Sequence, residues 1–218
     1  QTTSNEILVY VHGYNTTHAF ARQRLNQIRR NTVNFGFPGV VIGLDWPSKG
    51  KQRPSTYRKK RKMALDTGHK FFVDGLLKIK QVRPDIKIHL MAHSMGAFML
   101  TYAIQRHAHK LGTNVIDQVM FIAPDVERSV FEGGSLLSAA IDKYANRLTC
   151  YYSEDDRVLQ TAPGVTHFPG ARSGLNGMRN IAVGSFEDVA CHNQHRVFVK
   201  DRKPPPDWQY SHRWHFDD

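Results

Sequence analysis

Two cysteines in 218 residues, Cys150 and Cys191, are too few for a disulfide framework to carry the fold. Cys150 sits inside the apolar run Leu148-Thr149-Cys150-Tyr151-Tyr152, where a free buried thiol is expected rather than a bridge. No apolar run reaches the roughly 20 residues that a bilayer-spanning helix needs, so no transmembrane segment is expected. Acidic residues are scarce beside basic ones, 19 against 30, which leaves a formal charge of +11 and a surface suited to weak attraction toward anionic surfaces or simply to solubility. Internal repeats and low-complexity stretches are missing too. The opening residues Gln1 to Glu6 carry neither a basic start nor an apolar targeting core, and the compartment stays open. The 12 histidines include no His-x-x-x-His helix pair with a helix-borne glutamate. His192 and His195 with Cys191 lack a second anchoring cluster, so neither a metal nor a cofactor is expected.

What is present is an alternation. Hydrophobic residues at 40% and charged residues at 22% describe a globular chain. Its length suits one domain over 1–218, with 200–218 as a C-terminal extension whose Trp208, Tyr210, Trp214 and Phe216 favour packing on the body. Five short runs rich in Val, Ile, Leu and Phe begin near Ile7, Val40, Ile86, Val119 and Leu148, each ending in polar turn residues. Ile181-Ala182-Val183 offers a last short strand. Helical patterns follow from about Thr17, from the loop beyond Ser48 as far as Val82, and from Met95. This spacing predicts an α/β fold, a mostly parallel sheet of about six strands flanked by helices on both faces. Ligands of such sheets lie beyond the carboxyl ends of the strands, where His12, Asp45, Ser94, Asp125 and Asp156 all fall.

One of these carries the chemistry. The stretch Lys87 to Ala97 passes from an apolar strand through Ala92-His93-Ser94-Met95-Gly96 into a helix. Small residues two before and two after Ser94 are what a sharp strand-to-helix turn requires, because strand and helix approach too closely there for larger side chains. Helix capping is the ordinary use of such a serine. Gly96, the preceding strand and the separate His12-Gly13 favour a nucleophile.

The pattern resembles the α/β-hydrolase family, and more closely a small branch of largely uncharacterised serine hydrolases. The matching segments are Val11-His12-Gly13-Tyr14-Asn15, Leu44-Asp45-Trp46-Pro47-Ser48, Ala92 to Gly96, Ala123-Pro124-Asp125 and Ser153 to Leu159. The resemblance implies Ser94 as nucleophile, an acid after the fifth strand and a histidine later in the chain. It favours Asp156, with Asp155 in reserve. It favours His195 through the spacing to Phe198, with His192 and then His167 as alternatives. It also implies an oxyanion hole from the backbone N–H groups of Tyr14 and Met95, structural roles for His12 and Asp125, and a packing role for His93. The expected activity is that of a serine hydrolase cleaving carboxylic esters, small ones included, through an acyl-enzyme without a cofactor. A thioesterase or amidase would use the same apparatus.

The densest charge block runs from Lys49 to Lys62, Lys-Gly-Lys-Gln-Arg-Pro-Ser-Thr-Tyr-Arg-Lys-Lys-Arg-Lys. Its back half is expected to start the second long helix, with the charges toward water and Met63, Leu65, Phe71 and Phe72 turned inward. No nucleic-acid-binding fold is recognisable, so no specific nucleic-acid partner is expected. A non-catalytic module holding anionic partners on this block is the remaining reading.

Overall fold

The computed structural model describes residues 4–51, 53–113, 115–161, 171–178, 186–204 and 210–216. Six strands form one parallel sheet: β1 Glu6–Val11, β2 Val40–Leu44, β3 Lys87–His93, β4 Ile116–Ile122, β5 Ala145–Tyr152 and β6 Phe186–Ala190. Their order is β2-β1-β3-β4-β5-β6, every pairing parallel. The sixth strand begins at Phe186. The expected strand at Ile181-Ala182-Val183 lies outside the described residues.

Parallel neighbours need long crossovers, and helices supply them. The longer helices are α1 His18–Asn34, α2 Pro54–Lys70, α3 Leu77–Val82, α4 Met95–His107 and α5 Leu136–Tyr144, with a π-helical turn at Phe71–Leu76 joining α2 to α3. Short helices α6 Arg157–Thr161 and α7 Ser173–Asn176 follow β5. After β6 come α8 His192–Arg202, α9 Tyr210–Arg213 and a 3-10 turn Trp214–Phe216. Thr17 caps α1 by accepting from the Phe20 N–H at 3.2 Å, and Ser135 caps α5 by accepting from Ser138 at 3.0 Å.

Alternation along the strands divides the interior in two. Ile7, Val9 and Val11 of β1, with Ile88, Leu90 and Ala92 of β3, join α2, α4 and α5 in the larger core. Leu8 and Tyr10 face the other way, against Ile28 of α1 and Phe216 of the tail. Phe216 of the tail therefore packs on this face of the sheet.

The basic block differs from its expected orientation. The buried stripe of α2 is Tyr57, Arg61, Ala64 and Gly68, so Arg61 turns inward while Met63 and Leu65 are only half-buried. Two carboxylates make this tenable. The Arg61 guanidinium donates to Glu127 Oε1 at 3.1 Å and lies 3.7 Å from the Phe98 ring centroid. Fully buried Arg172 reaches the same Glu127 oxygen at 2.6 Å and Asp125 at 3.5 Å. Both cysteines are buried and free.

Candidate active site

Ser94 stands between the end of β3 and the first residue of α4 with φ 54° and ψ −121°, a backbone conformation that a non-glycine residue rarely adopts. Holding it there costs on the order of 1–3 kcal/mol and needs anchorage from the surroundings. The Ser94 N–H donates to the Ile122 carbonyl at 3.0 Å, and its own carbonyl accepts from Asp125 N–H at 3.2 Å and Ala97 N–H at 3.0 Å. The bend also demands close approach. A Cβ on Gly96 would stand 2.6 Å from the Val11 carbonyl oxygen, and one on Gly13 would stand 2.9 Å from Ser94 Cβ. Glycine is thus imposed on both sides of the serine by the loop after β1.

That loop is fastened by His12. The imidazole lies 3.0 Å from the Gly13 carbonyl through Nδ1 and 2.9 Å from Asp45 Oδ1 through Nε2, and it stacks on Trp46 at 5.7 Å. The Trp46 indole N–H donates to the His12 carbonyl at 2.8 Å. Burial pushes the Asp45 carboxyl up, but hydrogen bonds from His18 and His12 outweigh it and hold the group below its ordinary range. Tyr14 is consequently fixed at the mouth, its hydroxyl donating to the Lys51 carbonyl at 2.6 Å and its ring edge-on to Tyr57. The Met95 N–H opens α4, a position without an acceptor inside the helix. Ser94, Tyr14, Tyr57, Asp125 and His212 share the wall of one cavity of about 540 Å³.

Of the expected acids, Asp156 is the one turned inward. It is fully buried. One carboxylate oxygen accepts from the Leu159 N–H at 3.0 Å, capping α6, and the other lies 2.5 Å from Nδ1 of His212. Asp155 points outward to the Arg196 guanidinium, at 2.8 and 3.0 Å.

The histidine that meets Asp156 is His212, which the sequence expectation did not include. His195, the expected base, sits inside α8, with Nδ1 3.8 Å from Asp155 and its ring packed on Trp214 at 5.2 Å. It is not among the residues lining the cavity. His192 packs on Tyr152, its ring centroid 6.4 Å away. His167 falls outside the described residues. The reason is structural: residues 192–202 form a helix, which carries His195 toward the Asp155 side, whereas α9 lies against α6 and sets His212 on Asp156.

Several contacts hold that tail. Ser211 Oγ accepts from the Arg157 N–H at 3.1 Å, and His93 Nε2 donates to the His212 carbonyl at 2.8 Å. The His93 ring lies 4.6 Å from that of His212. Burial pushes His93 well below its ordinary value, with repulsion from His212 adding to it, so the ring stays neutral and keeps Nε2–H as a donor only in that tautomer. The residue beside the serine thereby ties the elbow to the turn bearing His212. Asp125 is raised by burial, against the pull of Arg172 and Arg61, and accepts a hydrogen bond from the Tyr57 hydroxyl. It braces the loop after β4 whose N–H holds the serine carbonyl.

No group of three or more His, Cys, Asp or Glu side chains suited to a metal occurs among the described residues. A family model described as an alpha/beta hydrolase of unknown function (DUF900) matches residues 1–167. The chain belongs to that family. No curated protein matches it. Among solved structures, the Pyrococcus furiosus esterase Pf2001 is similar with a TM-score of 0.51 at 15% identity, over 93% of this chain and 79% of that one. TT1662 from Thermus thermophilus gives 0.52 at 14% identity, over 90% and 87%. An acetylxylan esterase is matched over 59% of this chain and 65% of its own length, at 12% identity and a TM-score of 0.41. At such identities the first two likenesses speak for the fold of this hydrolase-family member alone, and the third bears on no argument.

Proposed function

We propose that this α/β hydrolase cleaves carboxylic esters through an acyl-enzyme on Ser94, with His212 as general base and Asp156 as the carboxylate that orients it. The single observation carrying this reading is the meeting in one cavity of a strained, anchored serine and an imidazole whose Nδ1 is committed to a fully buried carboxylate. With Nδ1–H donating to Asp156, Nε2 is left to accept a proton. In the first half-reaction Ser94 Oγ attacks the ester carbonyl and its proton passes to His212. Asp156 stabilises the imidazolium so formed. Negative charge on the former carbonyl oxygen is met by the N–H groups of Tyr14 and Met95, and the alcohol leaves with the proton from His212. Water, deprotonated by the same imidazole, then cleaves the acyl-enzyme and restores the serine.

A fluorophosphonate probe tests the core of this. Labelling of the wild type, lost in Ser94→Ala, is the expected result. A folded wild type that takes no label, or a Ser94→Ala variant labelled equally, would sink it. Comparing turnover of matched ester, thioester and amide substrates decides the leaving group.

The outer face of α2 and the segment leading into it add a surface element. Lys49, Lys51, Arg53, Arg58, Lys59 and Lys62 are exposed, and no carboxylate pairs with them among the described residues. Because the Lys51 carbonyl in this basic segment holds the Tyr14 hydroxyl at the mouth, the segment would draw anionic surfaces toward the cavity in a salt-dependent manner. Binding to anionic vesicles that persists unchanged in an Arg58→Gln/Lys59→Gln/Lys62→Gln variant would remove that role.

A further inference from the structure

A second cavity, about 390 Å³, lies on the α1 side of the sheet directly behind the first. Leu8, Ile28, Met91, Met120 and Ile122 give it an apolar stretch of wall, polar side chains such as Glu6, Gln27, His89 and Gln118 complete the lining, and exposed Phe35 borders it. The two cavities share one residue, Phe216, which lines both. Their alignment follows from the pleat. Met91 and His93 point to the same face of β3, so the floor that begins at His93 beside the nucleophile continues through Met91 to His89 in the second cavity. From Ser94 back to His89 the strand covers about 16 Å.

The partition is held from several directions. The Phe216 ring meets Tyr10 edge-on at 5.8 Å and His93 at 5.5 Å, and the Arg24 guanidinium lies 4.7 Å from its centroid. Its backbone carbonyl accepts from the Gln27 amide. Only 8% of the residue is exposed, so the ring is a fixed wall and not a loose flap.

We infer that Phe216 sets the acyl-chain length this enzyme accepts, closing the catalytic cavity against a ready-made apolar acyl subsite between α1 and the sheet. Short acyl groups end at the ring. Longer ones would thread past Met91 toward Met120 if the ring were removed. The occupant is an unbranched acyl chain, because Met91, Met120 and Ile122 offer it an apolar path on the same face of the sheet as His93, with Phe216 alone lining both cavities. This inference rests on the ester-hydrolase reading.

The experiment measures kcat/KM for chromogenic esters of acetate, butyrate and decanoate. The wild type is expected to fall steeply from butyrate to decanoate. Phe216→Ala should raise the decanoate-to-acetate ratio by at least about tenfold, and Phe216→Leu should shift it less in the same direction. Adding Met120→Trp to Phe216→Ala refills the second cavity and should return the ratio toward that of the wild type. An unchanged ratio in both Phe216 variants, or a gain that survives Met120→Trp, would overturn the inference. Binding of a fluorescent fatty acid, expected for Phe216→Ala and not for the wild type, reads the cavity without turnover. Probe binding without turnover of any ester would count against the hydrolase reading alone. Turnover with neither probe binding nor a chain-length shift would count against the subsite alone.

Discussion

Two imidazole–carboxylate pairs stand side by side after β5, built from consecutive aspartates, and they are not equivalent. In the pair of His212 with Asp156 the atoms are 2.5 Å apart and the carboxylate is fully buried, its second oxygen accepting a backbone N–H. In the pair of His195 with Asp155 the separation is 3.8 Å, and the carboxylate is partly exposed and already gripped by Arg196. A carboxylate committed to a guanidinium has little left to give an imidazole. One that meets no competing cation among the described residues, and is itself fixed by capping α6, is free to hold a ring in one tautomer and answer the charge that ring acquires. On the proposed reading, this lack of a rival cation among the described residues, and not the nearness of histidine to aspartate in sequence, sets the His212–Asp156 pair apart.

The largest effect should come from removing one imidazole or the other. His212→Ala is expected to lower kcat/KM on a short-chain ester by at least about 10⁴-fold, because serine then loses its proton acceptor. His195→Ala should change it by less than about tenfold. Steady-state kinetics on the two purified variants decides the matter, and the reverse ranking would break the assignment of roles.

How much of this was legible beforehand follows from which signals are local. The strand runs, the elbow Ala92 to Gly96 and the His12-Gly13 loop are short-range patterns whose steric logic is written in neighbouring residues. The two glycines owe their place to contacts under 3 Å, a demand that leaves a mark in any sequence. Asp156 is expected through the resemblance of Ser153 to Leu159 to an acid loop, since Asp155 follows the same strand equally closely. His212 is not anticipated, because no spacing between 156 and 212 encodes that α9 lies against α6. The aromatic tail was the available clue. Trp214 and Phe216 flag a segment that must pack, and a histidine inside such a segment deserves weight as a base. Arg61 faces inward because Glu127 and Arg172, far away in sequence, complete a buried network around it.

A smaller contrast is expected between the aspartates. Asp156→Asn should reduce kcat by on the order of 10³–10⁴-fold with little change in KM, since the amide favours the wrong tautomer of His212 while keeping the shape of the site. Asp155→Asn should leave kcat within a few-fold and act on stability instead. Hydrogen bonding and attraction from Arg196 hold the Asp155 carboxyl below its ordinary range. A depressed acid stabilises the fold above its unfolded value, about 3.9, and that contribution is lost as pH falls through the folded value. The wild type and Asp155→Asn should thus differ in melting temperature near neutrality and converge in strong acid. A fall in kcat for Asp155→Asn matching that of Asp156→Asn would erase the distinction between the pairs.

The smallest effect concerns the histidines that flank the working pair. His215 is buried in the tail, its ring against Trp214 at 4.6 Å and its Nε2 without a hydrogen-bond partner among the described residues. Burial lowers it from 6.5 to about 3, with Asp156 pulling the other way and His212 and His195 adding repulsion. The unfolded chain binds a proton at this position below about pH 6.5 while the folded chain does not, so stability declines as pH falls through that window and is unaffected above it. His195 is also lowered by burial, but Asp155 opposes the shift, so its share of the acid sensitivity is smaller. The melting temperature of the wild type should drop between about pH 7 and about pH 5, and His215→Phe should reduce that drop more than His195→Phe does. Equal reductions in the two variants would mean that the tail and α8 shield their imidazoles alike, and the asymmetry between the two sides of the Asp155-Asp156 turn would then be confined to the carboxylates.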